Sequence, residues 1–282
     1  VQLERSRRSL STPAALVMST LTTLTTIIDE LIRTERTFLD GIKLLLHSYR
    51  PALLRLVPSL AIFDGLEAIQ KVSEELLGRL EPIPLASSVA AAEASAEAEA
   101  LSWTAAALGA ALVPRGGGAA EHALNRYRPF INTFDASLRT ARELLELPSF
   151  GGRVRAVAAS IGSTHTLADL LITPIQRPPR YVMLLEAAVA ALEKGGGDGA
   201  GGGEVALRAA LEVVRDVVSA LNEAKRERDA VARMREVQAR LRDGVLIEHP
   251  CRRLVCEAAA AEMVAGGGWA PRVLLLFSDL LL

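Results

Sequence analysis

From Leu24 onward, apolar side chains return every three or four positions: Leu24, Ile28, Leu31, Phe38, Ile42, Leu45 and Tyr49. That spacing is one face of a long helix, and Pro51 marks its expected end. A second helix follows Pro58, with Leu66, Ile69, Val72, Leu76 and Leu80 on one side until Pro82. Residues 85–100 are low-complexity Ala, Ser and Glu, and Pro114 with Gly116 to Gly118 breaks the chain after them. We read 85–118 as a surface insertion or a weakly held helix. A third helix is expected from about Ala119 to Leu147, interrupted near Pro129, and then a short apolar segment, Val154 to Ile161. The fifth element carries the stripe Leu167, Leu171, Pro174, Pro178, Tyr181, Leu185, Ala188 and Leu192. Pro174, Pro178 and Pro179 sit in or beside it. Each interior proline costs a helix about 3 kcal/mol and a backbone donor, which predicts a bend or an interruption there.

Gly195 to Gly203 reads as a flexible loop. The last helix starts near Glu204 and reaches toward Arg242. Its stripe Leu207, Leu211, Val214, Val218 and Leu221 loses phase after Lys225, where Val231, Met234 and Leu241 fall on another side. The first half therefore belongs to one body and the second half faces another. Beyond Gly244 come Arg253-Leu-Val-Cys-Glu, a Gly266 to Gly268 turn, and Arg272-Val-Leu-Leu-Leu-Phe-Ser-Asp-Leu-Leu-Leu282, two or three strands around a hairpin. So few strands are marginal alone, so they read as the start of a second domain. The expected division is an N-terminal extension without fixed structure at 1–19, a helical domain at 20–243, and a partial domain at 244–282.

Composition narrows the function. The 32 basic and 33 acidic residues leave a net charge of -1, against a general nucleic-acid binder. Two Cys and four scattered His offer neither a disulfide framework nor a metal-ligand spacing. Cys251 and Cys256 are expected to be buried thiols. The glycine runs lack the Lys and flanking strand of a phosphate loop, and no Ser/His/Asp motif is present. Neither a catalytic residue for covalent chemistry, nor a metal, nor a cofactor is expected. Ser9 to Ile28 is uncharged behind three Arg, but its many hydroxyls do not make the compact apolar block of a secretory signal. A start at Val1 rather than Met predicts a piece of a longer protein. The uncharged stretch Leu101 to Val113 is shorter than the roughly 20 residues a spanning helix needs, so the whole reads as soluble and cytoplasmic.

One segment is specific: Leu170-Leu-Ile-Thr-Pro-Ile-Gln-Arg-Pro-Pro-Arg-Tyr-Val-Met-Leu-Leu185. It resembles the third conserved region of the Dbl homology (DH) domain, the module of guanine nucleotide exchange factors for Rho-family GTPases. Pro174, Gln176, Arg177, Arg180, Tyr181, Leu184 and Leu185 match the family pattern. Thr173 stands where Lys is usual, Pro178 for a branched aliphatic residue, and Val182 for Pro. Leu31-Ile-Arg-Thr-Glu-Arg-Thr-Phe-Leu39 is similar to the first conserved region. Leu66 to Leu80 resembles the second helix, with Ser73 where His is common; Tyr127 to Leu138 resembles the tyrosine-rich helix. Val218 to Glu223 resembles the stretch of the last helix carrying a conserved Asn, here Asn222, and the strands to Leu282 resemble the opening of a pleckstrin homology (PH) domain.

The resemblance implies an all-α, elongated DH-type helical bundle followed by the first strands of a PH domain. It implies exchange on a Rho-family small GTPase, with no covalent step, and membrane phosphoinositide contact through a complete PH domain that would recruit the protein to membrane. A DH-fold scaffold without exchange activity is the alternative. The implied GTPase-facing residues are Glu35, Arg180, Asn222 and Gln176. From periodicity alone, Glu35 falls in the middle of the first helix's apolar stripe, so it either pairs internally or faces a partner; the resemblance points to switch I of the GTPase. Arg180 lies opposite the Leu171/Leu185 stripe and points outward, implied to meet switch II, as is Asn222. Gln176 and Arg177 fit either an interface or internal packing, and packing is the reading for Arg177.

Overall fold

The computed structural model describes residues 13–84, 94–113, 122–195, 202–241, 247, 249, 252–264 and 267–282. The glycine-rich loop at 196–201, residues 1–12 and Cys251 lie outside them. Helix α1 spans Pro13–Leu44 and continues through a π-helical turn, Leu45–Tyr49, into the short α2, Arg50–Leu54. Pro51 thus sits at the start of a new helix, where a missing amide costs least. The expected unstructured extension is corrected here: residues 13–19 are already helical. Ala15–Leu54 has the length and hydropathy to cross a membrane. Its apolar side, however, is core: Leu24, Ile28, Leu31 and Ile42 are at most 1% exposed.

Helix α3 spans Leu66–Leu80, α4 Ala94–Leu112, α5 Arg128–Leu145, α6 Pro148–Ile161, α7 Leu167–Lys194 and α8 Gly202–Arg240. The apolar stripe read for α3 is buried as the spacing requires: Leu66, Ile69, Val72, Leu76 and Leu80 all join the core. The third helix is shorter than expected, because a 3-10 turn, Ala123–Tyr127, precedes Pro129.

Two expectations are overturned. Residues 94–112 are no surface insertion but a core helix packed on α1 and α3, with Ala105, Leu108, Ala111 and Leu112 buried. Its small side chains allow backbones to approach: a Cβ on Gly109 would stand 3.1 Å from the Ala206 carbonyl of α8, and the Gly203 amide donates to Ser102 Oγ at 3.1 Å. His122 locks the far end of α4, with Nε2 donating to the Leu112 carbonyl at 2.9 Å and Nδ1 accepting from the Leu124 amide at 3.2 Å. Helix α7 also runs as one helix through its three prolines, so of the expected bend or interruption the interruption does not occur. It starts on a capping box, Thr166 and Asp169 each bonding the other's amide. Where Pro174 has no amide to give, Thr173 Oγ1 donates to the Leu170 carbonyl at 2.8 Å.

Helices α1 and α7 lie antiparallel. Gly41 meets Leu170, Glu35 meets Arg177, Glu30 meets Arg180, and Thr20 leaves no room for a side chain on Gly195. This pair is the spine on which the candidate site sits.

The chain divides into two compact units, 1–221 and 222–282. The second has its own small core: Met234 and Val237 from the end of α8 pack with Ile247, Leu275 and Phe277. Strands β1, Leu254–Val264, and β2, Gly268–Phe277, pair antiparallel in register Ala259 with Val273 and Met263 with Trp269, like the start of a PH domain. Arg233 and Arg240 both reach Glu257 of β1, and Arg252 clamps Asp279 through Nε at 2.7 Å and Nη2 at 2.9 Å. Cys256 is exposed rather than buried, because it lies on the open side of this two-stranded sheet.

Candidate functional site

Two carboxylate–guanidinium rungs join α1 to α7, one inside the bundle and one outside. The inner rung is Glu35 with Arg177. Glu35 is fully buried and Arg177 is 5% exposed. Glu35 accepts from Arg177 Nε at 2.8 Å and from Nη2, from Tyr181 Oη at 2.8 Å, and from Ser73 Oγ of α3. Arg177 donates further to Thr34 Oγ1 at 3.0 Å and to the Leu31 carbonyl at 3.4 Å. Its guanidinium lies 4.8 Å from the Tyr181 ring centre and 5.7 Å from that of Phe38, within cation–π range. Every nitrogen and oxygen of the two charged groups therefore has a partner, the condition under which a buried charge pair persists.

The electrostatics follow from burial. Desolvation would lower the Arg177 pKa, but facing Tyr181 and Glu35 it is held above its ordinary value. Tyr181 and Tyr127 are pushed up, first by burial and then by neighbouring groups that include the Glu35 carboxylate, so both phenols stay neutral.

The expected role of Glu35 is corrected by this arrangement. Glu35 does not face outward through a gap in its stripe. Three helices close over it, so its side chain pins α1 to α3 and α7 and offers nothing to a partner. The packing reading of Arg177 is the one its contacts match.

The outer rung lies one turn away: Arg180 Nη2 donates to Glu30 Oε1 at 2.6 Å, with the two side chains 48% and 37% exposed. Glu30 escaped the sequence reading. The only hint was an acid five residues ahead of Glu35, between the buried Ile28 and Leu31; its pairing with a residue 150 positions on needs the fold. Around Arg180, Ile172, Gln176, Pro179 and Met183 form an exposed stripe on α7, opposite the buried Leu171, Tyr181 and Leu185. Gln176 and Arg180 thus share one face with Glu30 beside it, and Met183, 65% exposed, adds an apolar contact surface. Asn222 is exposed on α8 as the first residue of the second unit. Among the described residues there is no group of three or more His, Cys, Asp or Glu able to hold a metal ion.

Comparison with known proteins agrees with this layout. The family model of the RhoGEF domain matches residues 27–222. "Guanine exchange factor for Rac 30" of Dictyostelium discoideum is 30% identical over 118 residues, which is 42% of this chain and 7% of that protein's length. The linker-DH/PH structure of p115-RhoGEF superposes with a TM-score of 0.73 at 19% identity, over 94% of this chain and 78% of the other. The DH/PH domains of PDZ-RhoGEF, solved in complex with GTP-gamma-S activated RhoA, give 0.66 at 17% identity, over 93% and 74%. The solved structures share the fold, and the family model runs from the middle of α1 to Asn222, through both rungs and the α7 stripe: the chain belongs to the RhoGEF domain family.

Proposed function

We propose that the chain is a guanine nucleotide exchange factor for a Rho-family small GTPase, and that the face carrying Glu30, Gln176, Arg180 and Met183 is where the GTPase docks, with Asn222 as a further contact. The observation that carries this reading is the exposed Glu30–Arg180 rung, set on the helix with the family signature and flanked by solvent-facing apolar side chains. A GTPase holds Mg²⁺ and phosphates through its switch loops. A partner that binds the nucleotide-free conformation better than the loaded one lowers nucleotide affinity by reciprocal coupling. The work is done by a surface, not by a nucleophile: carboxylate and guanidinium offer an acceptor and five donors to switch-loop groups, and the buried rung beneath holds them in place.

The test is release of fluorescent GDP from a panel of purified Rho, Rac and related GTPases. The expected result is acceleration with at least one of them. No acceleration across the panel, together with no capture of any nucleotide-free GTPase, defeats the reading; capture without acceleration identifies the scaffold. Phosphoinositide contact by a complete PH domain, drawing the protein from cytoplasm to membrane, is the second part of the proposal, and vesicles with and without phosphoinositide test it.

A further inference from the structure

Helix α7 has a backbone defect directly beneath its exposed stripe. Pro174 has no N–H, so the hydrogen bond that residue 174 would normally give to the Leu170 carbonyl cannot form. Thr173, half-buried, supplies a donor to that carbonyl from Oγ1 at 2.8 Å. Other hydroxyls fold back on their helices too, Thr22 on Met18 and Thr37 on Arg33, but those carbonyls have an amide four residues on. At Leu170 the hydroxyl replaces that amide. Gln176 and Arg177 lie one turn further along, and Arg180 two turns.

We propose that Thr173 is a positioning residue: its hydroxyl takes the place of the amide missing at Pro174, keeping the early turns of α7 wound so that Gln176 and Arg180 share one face. With the hydroxyl gone, the half-buried Leu170 carbonyl must find water. The turn opens to admit it, and the residues beyond rotate away from Glu30 and the docking face. The functional half of this inference rests on the exchange reading; the backbone half does not.

Three variants of the full chain, with Pro174→Ala alone as a fourth for comparison, test it. Thr173→Val keeps the branched shape and removes the donor, Thr173→Ser keeps a donor, and Thr173→Val with Pro174→Ala returns an amide to the Leu170 carbonyl. In Thr173→Val, amides between 175 and 181 should exchange with solvent roughly two- to tenfold faster, the range set by the net contribution of one hydrogen bond. Thr173→Ser should match the parent chain, and the double variant should exchange no faster than Pro174→Ala alone. In the GDP-release assay, Thr173→Val should lower kcat by a similar factor with KM less affected, and Ser should restore it. Unchanged protection in Thr173→Val, or a double variant as impaired as the two single changes combined, overturns the inference. Faster amide exchange with undiminished GDP release overturns the positioning role. A parent chain inactive on every GTPase counts against the exchange reading instead, and the amide comparison still decides whether Thr173 holds α7.

Discussion

The two rungs between α1 and α7 use the same chemistry on the same pair of helices and differ in one respect, access to water. Glu35 and Arg177 are shut inside with Ser73, Thr34 and Tyr181 satisfying their remaining polar atoms. Glu30 and Arg180 stand at the surface, holding mainly each other. In water a carboxylate–guanidinium pair gains little beyond what solvent offers each ion, so it is free to exchange partners. Within the bundle no substitute exists, and the pair becomes part of the architecture. Proximity to a signature motif therefore does not by itself place a charged side chain where a partner could reach it.

The contrast breaks most visibly at the inner rung. Arg177→Ala or Glu35→Ala leaves an unpaired buried charge and should lower unfolding free energy by about 3–5 kcal/mol, read as a shifted denaturant midpoint. A loss below about 1 kcal/mol would mean that the inner pair is dispensable. At the outer rung the pattern should invert. Arg180→Ala and Glu30→Ala should each cost less than about 1 kcal/mol of stability. Each should nevertheless slow catalysed GDP release by roughly tenfold or more, the scale of a contact across a charged interface. If Arg180→Ala unfolds the chain as Arg177→Ala does, the distinction fails.

Salt sharpens the same comparison. In double-mutant cycles on stability, the coupling between Glu30 and Arg180 should fall toward zero as ionic strength rises to about 1 M, where the screening length is roughly 3 Å. The coupling between Glu35 and Arg177 should persist. A buried pair that fades with salt would be a pair reached by water.

The smallest expected effect is one of pH. Burial holds the His122 pKa below its ordinary 6.5; the hydrogen bond to the Leu112 carbonyl opposes this and the Arg79 charge reinforces it. The folded state therefore keeps the ring neutral, with Nδ1 accepting from the Leu124 amide. The unfolded chain binds the proton more readily, so this contribution to stability is complete above pH 6.5 and declines as pH falls below it. Melting temperature should drop between about pH 6.5 and 5, and His122→Gln should flatten that slope. An equal slope in both proteins removes His122 from the account.

Much of the bundle was legible because its helices are amphipathic and regular: the stripes of α1, α3, α7 and the first half of α8 are core residues almost one for one. The phase change after Lys225 was legible in part: Met234 and Leu241 serve a second core, while Val231 is exposed. What escaped was what periodicity does not encode. The Ala-rich stretch looked like filler because many of its contacts are made by backbone and methyl groups, with Leu108 and Leu112 the large buried side chains among small ones. Pro174 looked disruptive because the hydroxyl that compensates for it, on Thr173, is visible only in three dimensions. Glu35 was misplaced because a lone acid in an apolar stripe reads equally as a gap or as a buried pair, and the partner that decides it, Arg177, lies 142 residues away.

The seam where Gly109 nearly touches the Ala206 carbonyl has a practical side. An engineer trimming this protein would excise the alanine tract first, taking it for padding. Doing so would strip from α1 and α3 the helix packed on them and leave the start of α8 without its neighbour. A bulkier residue at Gly109 would fare little better, since an added methyl group there would already crowd the Ala206 carbonyl.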